Sequence, residues 1–403
     1  MSSRRAFISG TGAVAALALG LACSAGGESD IGPTAGAGGS GSGASNGGAA
    51  GVIIVGTGGA AGGGTLEGCA SDSYTGELVP VGMYLLLDHS GSMSSPLDAD
   101  AGTGTSKWDQ VTSAITEFMS LPGTTGISMG LGFFPVPPSV KPKVDCAKGT
   151  DCLPYGEECI FKKCMDAMGA TDSCISDDYR KFAVGIAPLP GVSADINAVM
   201  ASQGPEGQTP MTPAMRGTMD TMLEWAGQNT DQISLVVLAT DGMPTGCVPN
   251  EVSDVAAVAE GGAANGVKTF VIGIGSELTA LNAIAQKGGT TEAFVIGAGN
   301  VGAEFLNALN AIRGAVGCTY KIPNPPSGEP DPTKVNVAFT PEGGSQEVHP
   351  KVQGESDCKG DKGWYYDDAD NPKQIILCPA SCDEVQNVKG QVDVVLGCTT
   401  IPK

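Results

Sequence analysis

The sequence predicts an α/β domain: a doubly wound, mostly parallel six-stranded sheet. It carries a cysteine-rich insert and is followed by a small, disulfide-stapled β subdomain. Two apolar runs carry this prediction, Met83 to Leu87 and Ile233 to Ala239. Each reads as a fully buried parallel strand and ends in a polar tip. From Gly82 onward, strand-like and helix-period segments alternate, which is the pattern of a βα-repeated sheet. After residue 318, helical periodicity stops, and Pro, Gly and Asp rise among short β-like runs.

The elements follow in order. A first strand spans 82–88. Trp108, Val111, Ile115, Phe118 and Met119 repeat at helical spacing and place a helix over 106–120. A second strand covers 126–134 and a third 181–187. A helix runs from Pro210 to Ala226, with Thr209 as its N-cap and Pro in its first turn. A strand at 233–240, a helix at 251–265 and a strand at 267–274 come next. A helix near 277–287, a strand at 292–296 and a helix at 301–315 close the unit. Residues 69–318 therefore form the sheet domain. The insert at 135–180, between the second and third strands, is rich in Pro and then in Cys. Residues 319–403 form the C-terminal subdomain, with strands expected at Val335 to Phe339, Ile375 to Cys378 and Val392 to Leu396.

The amino terminus is a targeting segment. Ser3-Arg4-Arg5-Ala6-Phe7-Ile8 followed by an apolar stretch to Ala22 resembles a twin-arginine export signal. The Gly-Leu-Ala-Cys ending resembles a lipoprotein cleavage box and marks Cys23 as the acylated residue, with 1–23 as the signal. Gly20 stands where that box prefers Leu, so an ordinary signal peptide cut near Ala25 is the alternative. Ser24 after the lipidated cysteine fits outer-membrane placement in Gram-negative sorting. The expected location is thus the cell envelope, held to its membrane by a lipid anchor; a soluble periplasmic or secreted protein is the other reading. Residues 24–68 hold 18 Gly in 45 positions and no aromatic, a composition that bears a tether rather than a core.

Acidic residues outnumber basic ones, 43 to 22, for a formal charge of −21. Without a Lys/Arg cluster, such a chain does not bind a phosphate backbone, and nucleic acid is excluded as a partner. Thirteen cysteines less Cys23 leave an even twelve, which in an exported chain predicts about six disulfides. The insert holds five: Cys146, Cys152, Cys159, Cys164 and Cys174. An odd count needs an outside partner. Cys247, on the same face as the insert, is the expected one. Cys69 and Cys318 bracket the sheet domain at its opposite end and are expected to pair. Cys358, Cys378, Cys382 and Cys398 would then close among themselves.

Five oxygen-bearing residues fall on three loops: Asp88, Ser90 and Ser92 in LLLDHSGSM, Thr209 in EGQTPMTPAM, and Asp241 in LVVLATDGMP. Ligands of open parallel sheets bind outside the carboxyl ends of the strands, where strand order reverses. In extended backbone side chains alternate, so Asp88, Ser90 and Ser92 face one way and His89 and Gly91 the other. Two carboxylates and three hydroxyls make an all-oxygen site. It suits a hard divalent cation, Mg²⁺ first, with Mn²⁺ and Ca²⁺ as alternatives.

These five positions, in this order, resemble the metal-ion-dependent adhesion site of von Willebrand factor type A domains. The resemblance covers about residues 78–318. It implies a sheet order of 3-2-1-4-5-6 with a short antiparallel third strand. It also implies that Ser90, Ser92 and Thr209 coordinate directly, while Asp88 and Asp241 act through water or hydrogen bonds. The function it implies is binding rather than catalysis: adhesion or protein–protein interaction, with an Asp or Glu of a protein ligand completing the coordination. A structural surface lipoprotein with an incidental metal site is one rival reading. A Mg²⁺-dependent hydrolase is another, but Ser90 stands where such chemistry wants a second acid, and no Lys or Arg is evident in the sequence to hold a phosphate.

Overall fold

The computed structural model describes residues 71–97, 104–121, 124, 126–297, 300–326 and 328–403, all within one compact unit. The signal at 1–23 with Cys23, the tether at 24–68 and Cys69 lie outside the described residues.

The described chain enters on β1 (Asp72–Thr75) and turns into β2 (Val81–Asp88), whose eight residues are all buried. A central strand covered on both faces needs an unbroken apolar run, and Met83 to Leu87 supply it. After a single turn of 3-10 helix at Gly91–Ser94 comes α1 (Lys107–Ser120). Ser106 caps it by accepting from the Asp109 N–H at 3.0 Å. β3 (Ile127–Phe134) leads into the insert. The insert's regular structure is a two-stranded hairpin, β4 (Cys159–Ile160) and β5 (Lys163–Cys164), with single 3-10 turns at Gly149–Asp151 and Ser176–Tyr179. β6 (Val184–Pro188) and α2 (Ser193–Ser202) follow, then α3 (Met211–Gln228) and β7 (Ile233–Thr240). The sheet domain closes with α4 (Val252–Ala263), β8 (Val267–Ile274), α5 (Asn282–Lys287), β9 (Phe294–Ile296) and α6 (Val301–Val316).

The central sheet has the order β6-β3-β2-β7-β8-β9. All its pairs are parallel except β3 with β6. Successive β2 residues feed two separate cores. Met83, Leu85 and Leu87 pack with α1, α2 and α6 on one face. Tyr84 and Leu86 pack with α3, α4 and α5 on the other. Chain order reverses between β2 and β7, so their carboxyl ends flank the switch-point crevice.

The C-terminal subdomain has two small sheets. β10 (Thr319–Lys321) pairs with β14 (Gln374–Leu377), which pairs with β13 (Trp364–Tyr366). The other sheet has the order β1-β15-β11-β12, with β11 (Val335–Pro341), β12 (Glu347–His349) and β15 (Gly390–Leu396). The strand β1 therefore belongs to the C-terminal sheet, although the sequence placed its residues in the sheet domain from 69 onward. Main-chain contact from Val79 to Thr319 puts this subdomain at the amino ends of the parallel strands, away from the switch point.

Two further expectations are corrected. Helix α7 (Pro379–Asn387) interrupts a region expected to lack helices. It carries Cys382 onto the end of α6, where it bonds Cys318. The expected Cys69–Cys318 pair is thereby excluded, as is closure of the last four cysteines among themselves. Of those four, only Cys358 and Cys378 pair with each other. All eleven described cysteines, Cys398 included, are disulfide-bonded.

Candidate metal centre

Asp88 ends β2 completely buried. Its Oδ1 accepts from the Ser90 N–H at 2.7 Å, and its Oδ2 accepts from the Thr240 hydroxyl at 2.6 Å. Burial is the main cause that raises its pKa to about 6; the Thr240 bond pulls the other way and the neighbouring Asp241 charge adds to the rise. A carboxylate enclosed in this way acts as the hub of the loop rather than as an open ligand. Extended backbone stops at Ser90, and Ser92 lies inside the 3-10 turn. The two hydroxyl oxygens nonetheless meet at 3.0 Å.

Ser92 Oγ donates to Asp241 Oδ1 at 2.7 Å, joining the loop after β2 to the loop after β7. Asp241 also faces a cation supplied by the chain itself. Lys107 Nζ lies 2.5 Å from Asp241 Oδ2; the two side chains are 11% and 0% exposed. That oxygen has no directed hydrogen bond. Lys107 was not among the residues singled out by sequence. The cue was there: a Lys at the first position of a helix opposes the macrodipole and needs a nearby acid.

Thr209 is buried on the third loop. It is not the cap of α3, because Pro210 takes that position. Its N–H donates to Thr245 Oγ1 at 3.0 Å, and its C=O accepts from the Thr245 N–H at 2.8 Å. A Cβ at Gly242 would stand 3.6 Å from Thr209 Oγ1, in ordinary van der Waals contact, which places that hydroxyl beside the residue after Asp241. The Gly91 N–H donates to Gly207 O at 3.1 Å and the Glu206 N–H to His89 O at 2.7 Å, tying this loop to the first. Asp88, Ser90, Ser92 and Asp241 thus lie in one hydrogen-bonded set that includes Thr240, and Thr209 lies against its Asp241 end. These atoms suit a hard divalent ion. All are oxygens, and the cation now facing the buried Asp241 Oδ2 is the Lys107 ammonium.

His89 turns away. Its two ring nitrogens face Gly204 O at 3.0 Å and Pro135 O at 2.5 Å, and its ring packs beside Phe133 and Trp108. It is 3% exposed and clamps the loops from beneath.

The insert is fastened to the loops that carry Thr209 and Asp241. Cys174 bonds Cys247, six residues after Asp241. The Gln208 N–H donates to Asp172 Oδ2 at 2.6 Å, and the Val248 N–H to Pro154 O at 2.8 Å. Two further disulfides, Cys146–Cys159 and Cys152–Cys164, brace the hairpin. At its tip, Phe161 and Lys162 both have left-handed backbone, φ 50° and 60°. Phe161 is 96% exposed, and Leu153, Ile160, Met165 and Met168 are exposed nearby in sequence. A cleft of about 560 Å³ lies between the insert and the metal loops, lined by Pro135 to Pro138, Asp172, Glu206 and Gly207 among others.

No family model matches the chain, and no curated protein matches it. Among the solved structures similar to this chain are the following three. The conserved hypothetical protein BatB from Bacteroides thetaiotaomicron has 13% identity and a TM-score of 0.35, covering 58% of this chain and 98% of its own. The pilus adhesin SpaC from Lactobacillus rhamnosus GG has 10% identity and a TM-score of 0.40, covering 82% of this chain; this chain spans 41% of the adhesin. The SpRpn10 VWA domain has 11% identity and a TM-score of 0.35, covering 58% of this chain and 95% of its own. The order β6-β3-β2-β7-β8-β9, with β6 as its one antiparallel strand, is the six-stranded α/β arrangement that the sequence resemblance implied, a fold like that of von Willebrand factor type A domains.

Proposed function

We propose that the chain is a metal-dependent protein-binding module of the cell envelope. It takes Mg²⁺ at the ends of β2 and β7 and grips an Asp or Glu of a protein partner. The observation that carries this reading is the Ser90–Ser92–Asp241 hydrogen-bonded set, whose Asp241 Oδ2 already faces a cation, the Lys107 ammonium. Ser90, Ser92 and Thr209 would hold the ion, with Asp88 and Asp241 behind them. When bound, the ion supplies an electrophilic centre that an external carboxylate can complete. Asp88, braced by Thr240 and Ser90, fixes the first loop, while Asp241 orients the Ser92 hydroxyl.

Binding fits the surroundings better than hydrolysis does. The histidine beside the site has both nitrogens against backbone carbonyls, which removes it as a general base. The insert presents exposed apolar side chains, the kind of surface that protein partners cover. Disulfides at every described cysteine fit an oxidising compartment. Among the described residues, no helix is long and apolar enough to cross a membrane. Attachment is assigned to the lipidated Cys23.

Calorimetric titration with Mg²⁺ tests the reading. Asp241→Ala and Thr209→Ala should each abolish binding while the far-UV circular dichroism spectrum stays that of the wild type. Unchanged affinity in both folded variants would sink the metal site. Capture of an envelope protein with Mg²⁺ but not with chelator should likewise depend on both residues.

A further inference from the structure

At the other end of the molecule is a cluster that the Mg²⁺ site does not use. β12 is an edge strand, and Glu347 and His349 stand two residues apart on one of its faces. Glu384 comes from α7. One ligand atom of each residue lies within 4.8 Å of the other two.

Ordinary packing leaves this cluster unfinished. The His349 side chain is 1% exposed, yet neither ring nitrogen has a hydrogen-bond partner. Glu384 Oε2 is buried without one as well, and lies 3.4 Å from His349 Nε2. Lys362 does not resolve this. Its ammonium donates to Glu347 Oε2 and Glu384 Oε1, each at 2.8 Å, and leaves Glu384 Oε2 turned to the imidazole. An unmatched buried polar group costs about 1–3 kcal/mol; the partnerless His349 Nδ1 and the long 3.4 Å contact between Nε2 and Glu384 Oε2 leave room for a ligand.

We propose that Glu347, His349 and Glu384 form a second metal site, a nitrogen–oxygen site for Zn²⁺ with a water in the fourth position. One imidazole with two carboxylates differs from the all-oxygen Mg²⁺ site, and borderline-soft Zn²⁺ accepts such mixed donors at four-coordination. The frame is already rigid. Cys382, two residues before Glu384, is bonded to Cys318 at the end of α6. Cys358–Cys378 ties the segment before Lys362 to the start of α7. Bound metal would fasten the edge strand β12 to α7, so the site also stabilises the subdomain.

The test uses the full chain carrying Asp241→Ala, which silences the first site. The chelator-stripped protein is titrated calorimetrically with Zn²⁺ and melted with and without it. Uptake of one Zn²⁺ per chain with a raised melting temperature is expected. Adding Glu384→Gln or His349→Ala should weaken that uptake at least about tenfold. Glu384 is partly exposed, so its variant carries the test if His349→Ala does not fold. No Zn²⁺ uptake by the Asp241→Ala chain, or uptake unchanged by either further substitution, leaves a salt-bridge cluster guarding an edge strand and overturns the proposal.

Discussion

Lys107 gives the sharpest prediction, because it sets a tethered cation against a diffusible one. Its ammonium lies 2.5 Å from a carboxylate oxygen of Asp241, and both side chains are buried. At an effective dielectric of about 20, two unit charges at that separation attract by about 6–7 kcal/mol. Desolvation takes back much of this, and removing one member of a buried pair costs about 3–5 kcal/mol. Lys107→Met keeps the apolar stem and deletes the charge. The metal-free variant should therefore lose about 3 kcal/mol of stability, with Asp241 left buried and unpaired. Mg²⁺ affinity should move the other way. In the wild type, Mg²⁺ bound as proposed would have to draw Asp241 from the ammonium. If that costs about 1.5–3 kcal/mol, its removal tightens Mg²⁺ binding about 10- to 100-fold. Calorimetry at neutral pH measures the affinity, and melting in chelator and in Mg²⁺ measures the two stabilities. Mg²⁺ affinity that is unchanged or weaker in folded Lys107→Met would refute the competition.

Two other outcomes follow from single residues. Asp88 has its pKa raised to about 6 by burial, so the folded state holds its proton more tightly than the unfolded chain does. The resulting stability is fully present below the unfolded value near 3.8 and is lost as pH rises through about 6, a change of about 3 kcal/mol. Urea unfolding in chelator, from about pH 4.5 to about pH 7.5, should show this slope in the wild type and not in Asp88→Asn; parallel profiles would contradict it. At the hairpin tip, Phe161→Gly should raise stability by about 1 kcal/mol, since a non-glycine residue in left-handed backbone costs about that much. The same change should reduce capture of the protein partner, and full retention of capture would remove Phe161 from the docking surface.

How far the sequence could be read depends on whether a contact is local. β2 and β7 were legible because a strand buried on both faces needs an unbroken apolar run, and these two end in Asp88 and just before Asp241. Five cysteines in the insert required a sixth from outside, and Cys247 supplies it. The Cys318 partner was misread because it depends on α7, whose nine residues PASCDEVQN carry little apolar periodicity. Pro379 at the first helical position was the missed cue. Thr209 was assigned as a cap from the Thr-Pro pair, but α3 starts at Met211, which leaves the Thr209 hydroxyl free of a capping role. The Lys107–Asp241 pair joins residues far apart in the chain, and tertiary packing rather than local pattern sets it.

Under the proposed function, the division of labour between ion and insert would follow from what each can discriminate. A carboxylate on a divalent ion is a strong bond but a common one, since every protein surface carries Asp and Glu. Selectivity has to come from groups that most surfaces cannot match. The exposed apolar side chains of the insert, the candidates for that role, stand on a segment with almost no regular structure, which a loose loop could not hold in register. Three disulfides remedy that: two brace the hairpin and the third binds the insert six residues past Asp241. Asp172 adds a polar tie into the Thr209 loop. A partner that seats on Phe161 therefore presses on a frame covalently continuous with the loop of Asp241. In such a frame, the proposed apolar docking and carboxylate capture would reinforce each other, because neither would have to order the insert first.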